Sequence, residues 1–315
     1  MKFPSPSSAE AVVAITDLSR RFGAKTALNN VSLYVPRGGV FGLVGENGAG
    51  KTTLIKHLLG LLAAQAGSVR VFGLDPVADP KGVLGRIGYL SEQPDLPGWM
   101  RVDELMRYTQ AFYPQWDMAY AERLREQFGL DRAQRIKTLS KGQTTKAALL
   151  VAQAHRPDLL LLDEPSSGLD PLGRHDILEA VIRTVADEGR TVFFSSHLLE
   201  EIERVSDHIA MLHQGKLVMC GPLEEMKAQH RRITLRFETA QCGPPSIAGA
   251  LGVTGSAKEW VVLCNSGWGQ LPAAAERVGA RIVEEQAPSL NEIFIAYAGL
   301  GAAEPPVQPQ PTIAE

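Results

Sequence analysis

Apolar runs of strand length open the chain. Val12 to Leu18, Val31 to Val35 and Val40 to Val44 each read as a buried strand, and the third ends in glycines. Directly after the glycines the pattern changes period: TTLIKHLLGLL (52–62) sets Leu54, Ile55, Leu58, Leu59 and Leu62 on one helical face. Strand, glycine loop and helix thus follow in order. From about 94 to 158 strand signals vanish, and helical segments such as VDELMRYTQAF and MAYAERLREQF alternate with Pro and Gly, which predicts an inserted helical subdomain. Strand-like runs return at LLLLDEP (159–165) and TVFFSSH (191–197), separated by a polar helical stretch, as a parallel sheet with crossovers requires. The expected core is α/β over residues 11–225.

Beyond about residue 225 the texture shifts. RITLRFE alternates Ile233, Leu235 and Phe237 in strand fashion, WVVLC is a second strand, and LPAAAERVGARIV reads as a helix leading into a third. A small α+β appendage over 226–299 is expected, closed by SLNEIFIAYAG. That segment opens with the capping-box pair Ser289 and Glu292 and aligns Leu290, Ile293, Phe294 and Tyr297 for docking. Residues 1–10 are expected to be flexible, and the proline-rich 300–315 to be a disordered tail.

Composition removes whole classes of function. A formal net charge of −3 supplies no overall basic field to draw in nucleic acid or anionic lipid, so no nucleic-acid partner is expected. Three cysteines, Cys220, Cys242 and Cys264, are odd in number and lack CxxC spacing, which argues against a disulfide framework and a zinc site and suits a reducing cytosol. No window offers the roughly 18 apolar residues of a membrane-spanning helix, and the N-terminus lacks the pattern of a secretory signal.

Chemistry concentrates at four places. Gly45-Glu46-Asn47-Gly48-Ala49-Gly50-Lys51-Thr52 satisfies G-x-x-x-x-G-K-[ST]: glycines let backbone amides turn toward phosphate oxygens, the following helix adds its positive end, Lys51 bridges the β and γ phosphates and Thr52 holds Mg2+. A glycine-rich turn with an idle lysine is the plain alternative, and the strand before and helix after argue against it. LLLLDEP ends a strand in Asp163, a candidate Mg2+ ligand, and Glu164, a candidate general base, at the sheet edge where open α/β folds bind ligands. His197 closes TVFFSSH as a candidate γ-phosphate contact that orients Glu164 or its water, although a lone histidine is more often structural. In LSKGQTTKAALLVAQA (139–154), Ser140 and Gln143 fit the capping-box spacing at a helix start.

Phosphate loop, LSKGQ, LLLLDEP, SGLD and a strand-terminal histidine, in that order over residues 12–222, resemble the nucleotide-binding subunits of ATP-binding cassette (ABC) transporters. The resemblance implies a P-loop NTPase core of ABC type and ATP hydrolysis with Mg2+. Gly45 to Thr53 match the family's Walker A loop, Asp163 and Glu164 its Walker B, Ser166 to Asp170 its D-loop and His197 its switch histidine. Phe22 stands where the family stacks an aromatic ring on adenine, with a core phenylalanine as the alternative. In the family two subunits clamp two ATP molecules, so Ser140, Gly142 and Gln143 would act on nucleotide held by a second ATP-binding subunit.

This chain departs from the family twice. Lys141 occupies the usual third-place glycine of the signature, and the post-strand glutamine that senses Mg2+ aligns with Glu92, with Gln93 one place later, and either could serve as a metal ligand. These features, with FYPQWD, AHRPDLL and SLNEIFIAYAG, resemble the branch that energises export through a separately encoded membrane permease, which implies a chain held on the cytoplasmic face of the membrane by that permease. Trp99, Met100, Phe112, Tyr113 and Trp116 fall where the family receives its permease, and core packing accounts for them equally well. The rival readings are a soluble ABC ATPase of ribosomes or DNA and a nucleotide-gated clamp without turnover.

Overall fold

The computed structural model describes residues 11–247, 249–265 and 271–299. The expectations of a flexible 1–10 and a disordered 300–315 lie outside the described residues. Two compact units divide at Leu223 and Glu224.

In the first unit, β1 (Ala11–Phe22) turns back as β2 (Lys25–Pro36), and β3 (Gly39–Val44) runs into the glycine loop and α1 (Lys51–Leu58). After β4 (Ala66–Val71), α2 (Pro80–Leu84) and β5 (Ile87–Leu90) come three helices, α3 (Val102–Gln110), α4 (Met118–Gln127) and α5 (Lys141–Gln153). The chain returns as β6 (Leu159–Asp163), α6 (Pro171–Glu188), β7 (Thr191–Ser196), α7 (Leu199–Val205), β8 (His208–His213) and β9 (Lys216–Pro222). A six-stranded sheet has the order β5-β6-β7-β3-β8-β9, parallel except for β9. A three-stranded antiparallel sheet has the order β2-β1-β4.

Burial explains why the strand signals differ in kind. Every residue of β6 and β7 is buried, because helices and the second sheet cover both faces of a parallel sheet, so these strands read as continuous runs. One core joins the small sheet, α1 and the central strands, with Phe41 and Phe193 stacked at 5.4 Å. The six-stranded order brings the C-terminal ends of β3, β6 and β7 side by side, and the candidate chemistry sits at those ends.

The second unit contains α8 (Leu223–Ala228), β10 (His230–Gln241), β11 (Ala250–Asn265), α9 (Leu271–Arg277), β12 (Ala280–Gln286) and α10 (Leu290–Gly299). Its antiparallel sheet, β11-β10-β12, buries Ile233, Leu235 and Phe237 on one face with Trp260 and Val262. The Ser289–Glu292 capping box forms as read, with the Glu292 N–H donating to Ser289 Oγ at 3.3 Å and the Ser289 N–H to Glu292 Oε2 at 2.9 Å. Leu290, Ile293 and Phe294 are buried.

Two sequence expectations need correction or sharpening. Helix α1 stops at Leu58, because Gly60 takes a left-handed φ of 69° and ends it, so Leu62 does not share the helical face assigned to it. The cysteines make no disulfide, and burial pushes the Cys220 thiol up to about 12 and the Cys264 thiol up to about 11, which leaves both unreactive; Cys242 is exposed.

Candidate nucleotide-binding site

The loop after β3 needs its glycines. Gly50 has a φ of 112°, and a Cβ there would meet the Ala27 carbonyl oxygen at 2.6 Å. Helix α1 starts at Lys51 with no side-chain cap and no acidic residue in its first turn, so its positive end is left for an outside anion. Asn47 and Thr52 are exposed on the loop and first turn, Ala49 is buried, and the Thr53 carbonyl bonds to the His57 ring at 2.8 Å. Lys51 is only 5% exposed; its Nζ donates to the carbonyls of Gly45 (2.5 Å) and Glu46 (3.2 Å) and lies 3.0 Å from Glu164 Oε1. An uncapped helix end and an ammonium form a donor set that fits a polyphosphate.

At the end of β6, Asp163 and Glu164 are both buried yet differently held. Asp163 accepts the Ser195 hydroxyl at 2.8 Å and also the Thr52 hydroxyl. Burial pushes the Asp163 carboxyl above its usual range, the two hydroxyls pull it back, and the negative charges of Glu164 and Glu92 raise it further. Thr52, Asp163 and Glu92 offer only hard oxygen donors, which suits Mg2+.

A raised carboxyl means that the folded chain holds its proton more tightly than the unfolded one. The stability it contributes is present below the ordinary carboxylate value and is lost as pH rises through the folded one. Asp163→Asn is therefore expected to melt above wild type at pH 7 in chelator. The gap should close toward pH 3 in calorimetric scans. An equal gap at both pH values would refute this account.

Glu164 adopts a φ of 50°, in the left-handed region that non-glycine residues rarely occupy. Its N–H is shared between the carbonyl (3.2 Å) and hydroxyl (3.1 Å) oxygens of Ser195. Glu164 Oε2 accepts His197 Nδ1 at 2.6 Å and the His197 backbone N–H at 3.3 Å. An ionised carboxylate only accepts, so the Nδ1 proton faces Glu164 and Nε2 is the ring's other edge. Lys51, Glu164 and His197 form one chain of contacts across the ends of β3, β6 and β7.

The remaining candidates separate. The Glu92 carboxylate accepts the Ser167 hydroxyl at 3.2 Å and acts on Asp163 electrostatically, which brings Glu92 to the cluster; the Gln93 backbone carbonyl accepts the Ser91 hydroxyl at 3.0 Å. Ser140 and Gln143 form both halves of their capping box, with Gln143 N–H to Ser140 Oγ at 3.2 Å and Ser140 N–H to Gln143 Oε1 at 3.0 Å. Gly142 faces Leu169, and the Lys141 ammonium lies against Gly168, where any Cβ would collide with it. Asp170 accepts the Gly173 N–H at 2.7 Å at the start of α6. Phe22 is 46% exposed at the end of β1 beneath the Arg20 guanidinium, so the core alternative for it fails. The aromatic cluster also divides: Met100 and Trp116 are buried, Tyr113 stacks on His155 at 3.9 Å, and Trp99 and Phe112 are exposed.

Sequence reasoning passed over Ser195, which holds both acidic residues, and Ser196 with Glu201 behind it. The signal available was a polar pair closing an otherwise apolar strand in TVFFSSH.

A family model described as ABC transporter matches residues 28–167. The ABC transporter ATP-binding protein YtrB of Bacillus subtilis is 31% identical over 228 residues, which are 72% of this chain and 78% of the relative. The bacitracin transport ATP-binding protein BcrA of Bacillus licheniformis is 30% identical over 223 residues, 70% of this chain and 73% of the relative. A solved ATP-binding subunit of an ABC transporter superposes with a TM-score of 0.63 at 31% identity, over 69% of this chain and 92% of that one.

Proposed function

Because the chain belongs to the ABC transporter ATP-binding family, we propose that it binds Mg-ATP on the loop from Gly45 to Thr53 and hydrolyses it to power a separate membrane permease. The observation that carries this reading is the contact chain Lys51–Glu164–His197, which joins a phosphate-binding ammonium to a base and its orienting imidazole. Glu164 takes the proton of the attacking water, and the His197 Nδ1 proton fixes the orientation of that carboxylate. Lys51 holds β and γ phosphate oxygens, with loop amides and the α1 terminus beside it. Phe22 stacks on the adenine ring. Thr52, Asp163 and Glu92 would hold Mg2+, which when bound neutralises charge developing on the phosphate oxygens.

Two such subunits sandwich the nucleotide, with Ser140, Gly142, Gln143 and Asp170 acting across the interface. Residues 11–225 are the ATPase domain and 226–299 an accessory one. Among the described residues no helix is long and apolar enough to cross a membrane, which fits a subunit held at the cytoplasmic face by its permease. The resemblance to the export branch supports movement outward; the name of BcrA supports transport without a direction. Affinity purification from membranes should recover a multi-spanning partner and Mg-dependent ATPase activity. Recovery with ribosomes alone would overturn the transport assignment.

A further inference from the structure

A buried carboxylate with no role above links the two catalytic segments. Glu201, in the first turn of α7, is 7% exposed, and its Oε2 alone accepts two hydroxyls, from Ser166 at 2.6 Å and Ser196 at 2.8 Å. Ser166 stands two residues after Glu164, Ser196 stands immediately before His197, and both serines are fully buried. A hydroxyl carries one proton, so each serine spends its donation on Glu201.

Backbone bonds carry the constraint onward on both sides. The Glu164 carbonyl accepts the Ser167 N–H at 3.0 Å, and Ser196 Oγ accepts the Leu198 N–H at 3.0 Å. One oxygen atom therefore ties the segment that leaves β6 to the segment that leaves β7. Those two segments carry the partners of the 2.6 Å contact between Glu164 and His197.

We propose that Glu201 is a positioning residue for ATP hydrolysis: its carboxylate clamps Ser166 to Ser196 and thereby keeps Glu164 and His197 in mutual register. The inference rests on the roles given to those two residues in the proposed function. Glu201 touches no reacting atom, so its effect belongs to turnover rather than to nucleotide affinity. Misplacing a reacting group by about 1 Å costs on the order of a hundredfold in rate. Glu201 Oε1 has no hydrogen-bond partner among the described residues. A glutamine that places its carbonyl at the Oε2 position keeps both serine bonds.

Steady-state Mg-ATPase kinetics on the full-length protein test the clamp. Glu201→Ala should lower kcat about 10- to 100-fold with KM for ATP within about threefold, and Glu201→Gln should restore kcat to within about threefold of wild type. Adding Glu201→Ala to a Ser166→Ala/Ser196→Ala background should cost nothing further, because the three groups act as one unit. An unchanged kcat in Glu201→Ala, equal losses in the alanine and glutamine variants, or full additivity with the serine changes would each overturn the clamp. If Glu201→Ala does not fold, Ser166→Ala and Ser196→Ala measured singly carry the test, and unchanged kcat in both overturns it. Failure of the underlying reading looks different: wild-type protein without turnover, or Glu164→Gln with full turnover, overturns the roles of Glu164 and His197 and the clamp with them.

Discussion

Replacing Glu164 with glutamine is expected to reduce ATP turnover by about two to four orders of magnitude, the usual contribution of a positioned base, while ATP still binds. Glutamine keeps the shape of the side chain, and its carbonyl can still accept the His197 Nδ1 proton. Its amide nitrogen then faces Lys51 across the 3.0 Å gap that the ion pair now occupies. Two donors repel at that distance, so the ammonium loses its counter-charge and turns more readily to phosphate. The Tm gain on adding ATP should accordingly be larger in the variant than in wild type, and ATP-dependent dimers should accumulate on gel filtration. Undiminished phosphate release would overturn the assignment of Glu164 as the base.

Lys51→Met should abolish ATP binding and also weaken the fold. Removing one partner of a buried ion pair strands the other charge, which costs about 3 kcal/mol or more. For a unit of this size that corresponds to a Tm loss of roughly 6–12 °C. The double variant Lys51→Met/Glu164→Gln removes the stranded charge and should recover much of the loss, a non-additivity that thermal melts of four proteins would measure. If Lys51→Met melts with wild type, the Lys51–Glu164 pair contributes nothing to stability.

What could be read from sequence was whatever is local. The runs of β3, β6 and β7 were visible because two-sided burial removes polar alternation, and the Ser140–Gln143 capping box needs only a spacing of three. Strand β4 escaped because four of its six residues are exposed. The β8–β9 hairpin turns on Gln214 and Gly215, both at positive φ, a two-residue signal that carries no apolar content. At the site, loop and carboxylates followed from their motif, whereas the bonds that hold them did not. Ser195 meets Asp163 from 32 residues away and Glu201 meets Ser166 from 35, and no periodicity encodes such pairings. That the Glu92 carboxylate meets the Ser167 hydroxyl, 75 residues later, was likewise not legible in the sequence.

The parallel sheet also imposes a timetable. Strand β3 carries the phosphate loop but lies between β7 and β8, and the Gly38 N–H donates to Thr191 Oγ1, a residue 153 positions later in the chain. Chains are made N-terminus first, so most of the unit must be synthesised before the loop acquires the strands that hold it in place. Such long-range closure is slow, since the entropy of ordering the intervening chain is lost before the contacts form. The glycine loop is thus made well before the strands that hold it and is among the last parts of its unit to be completed.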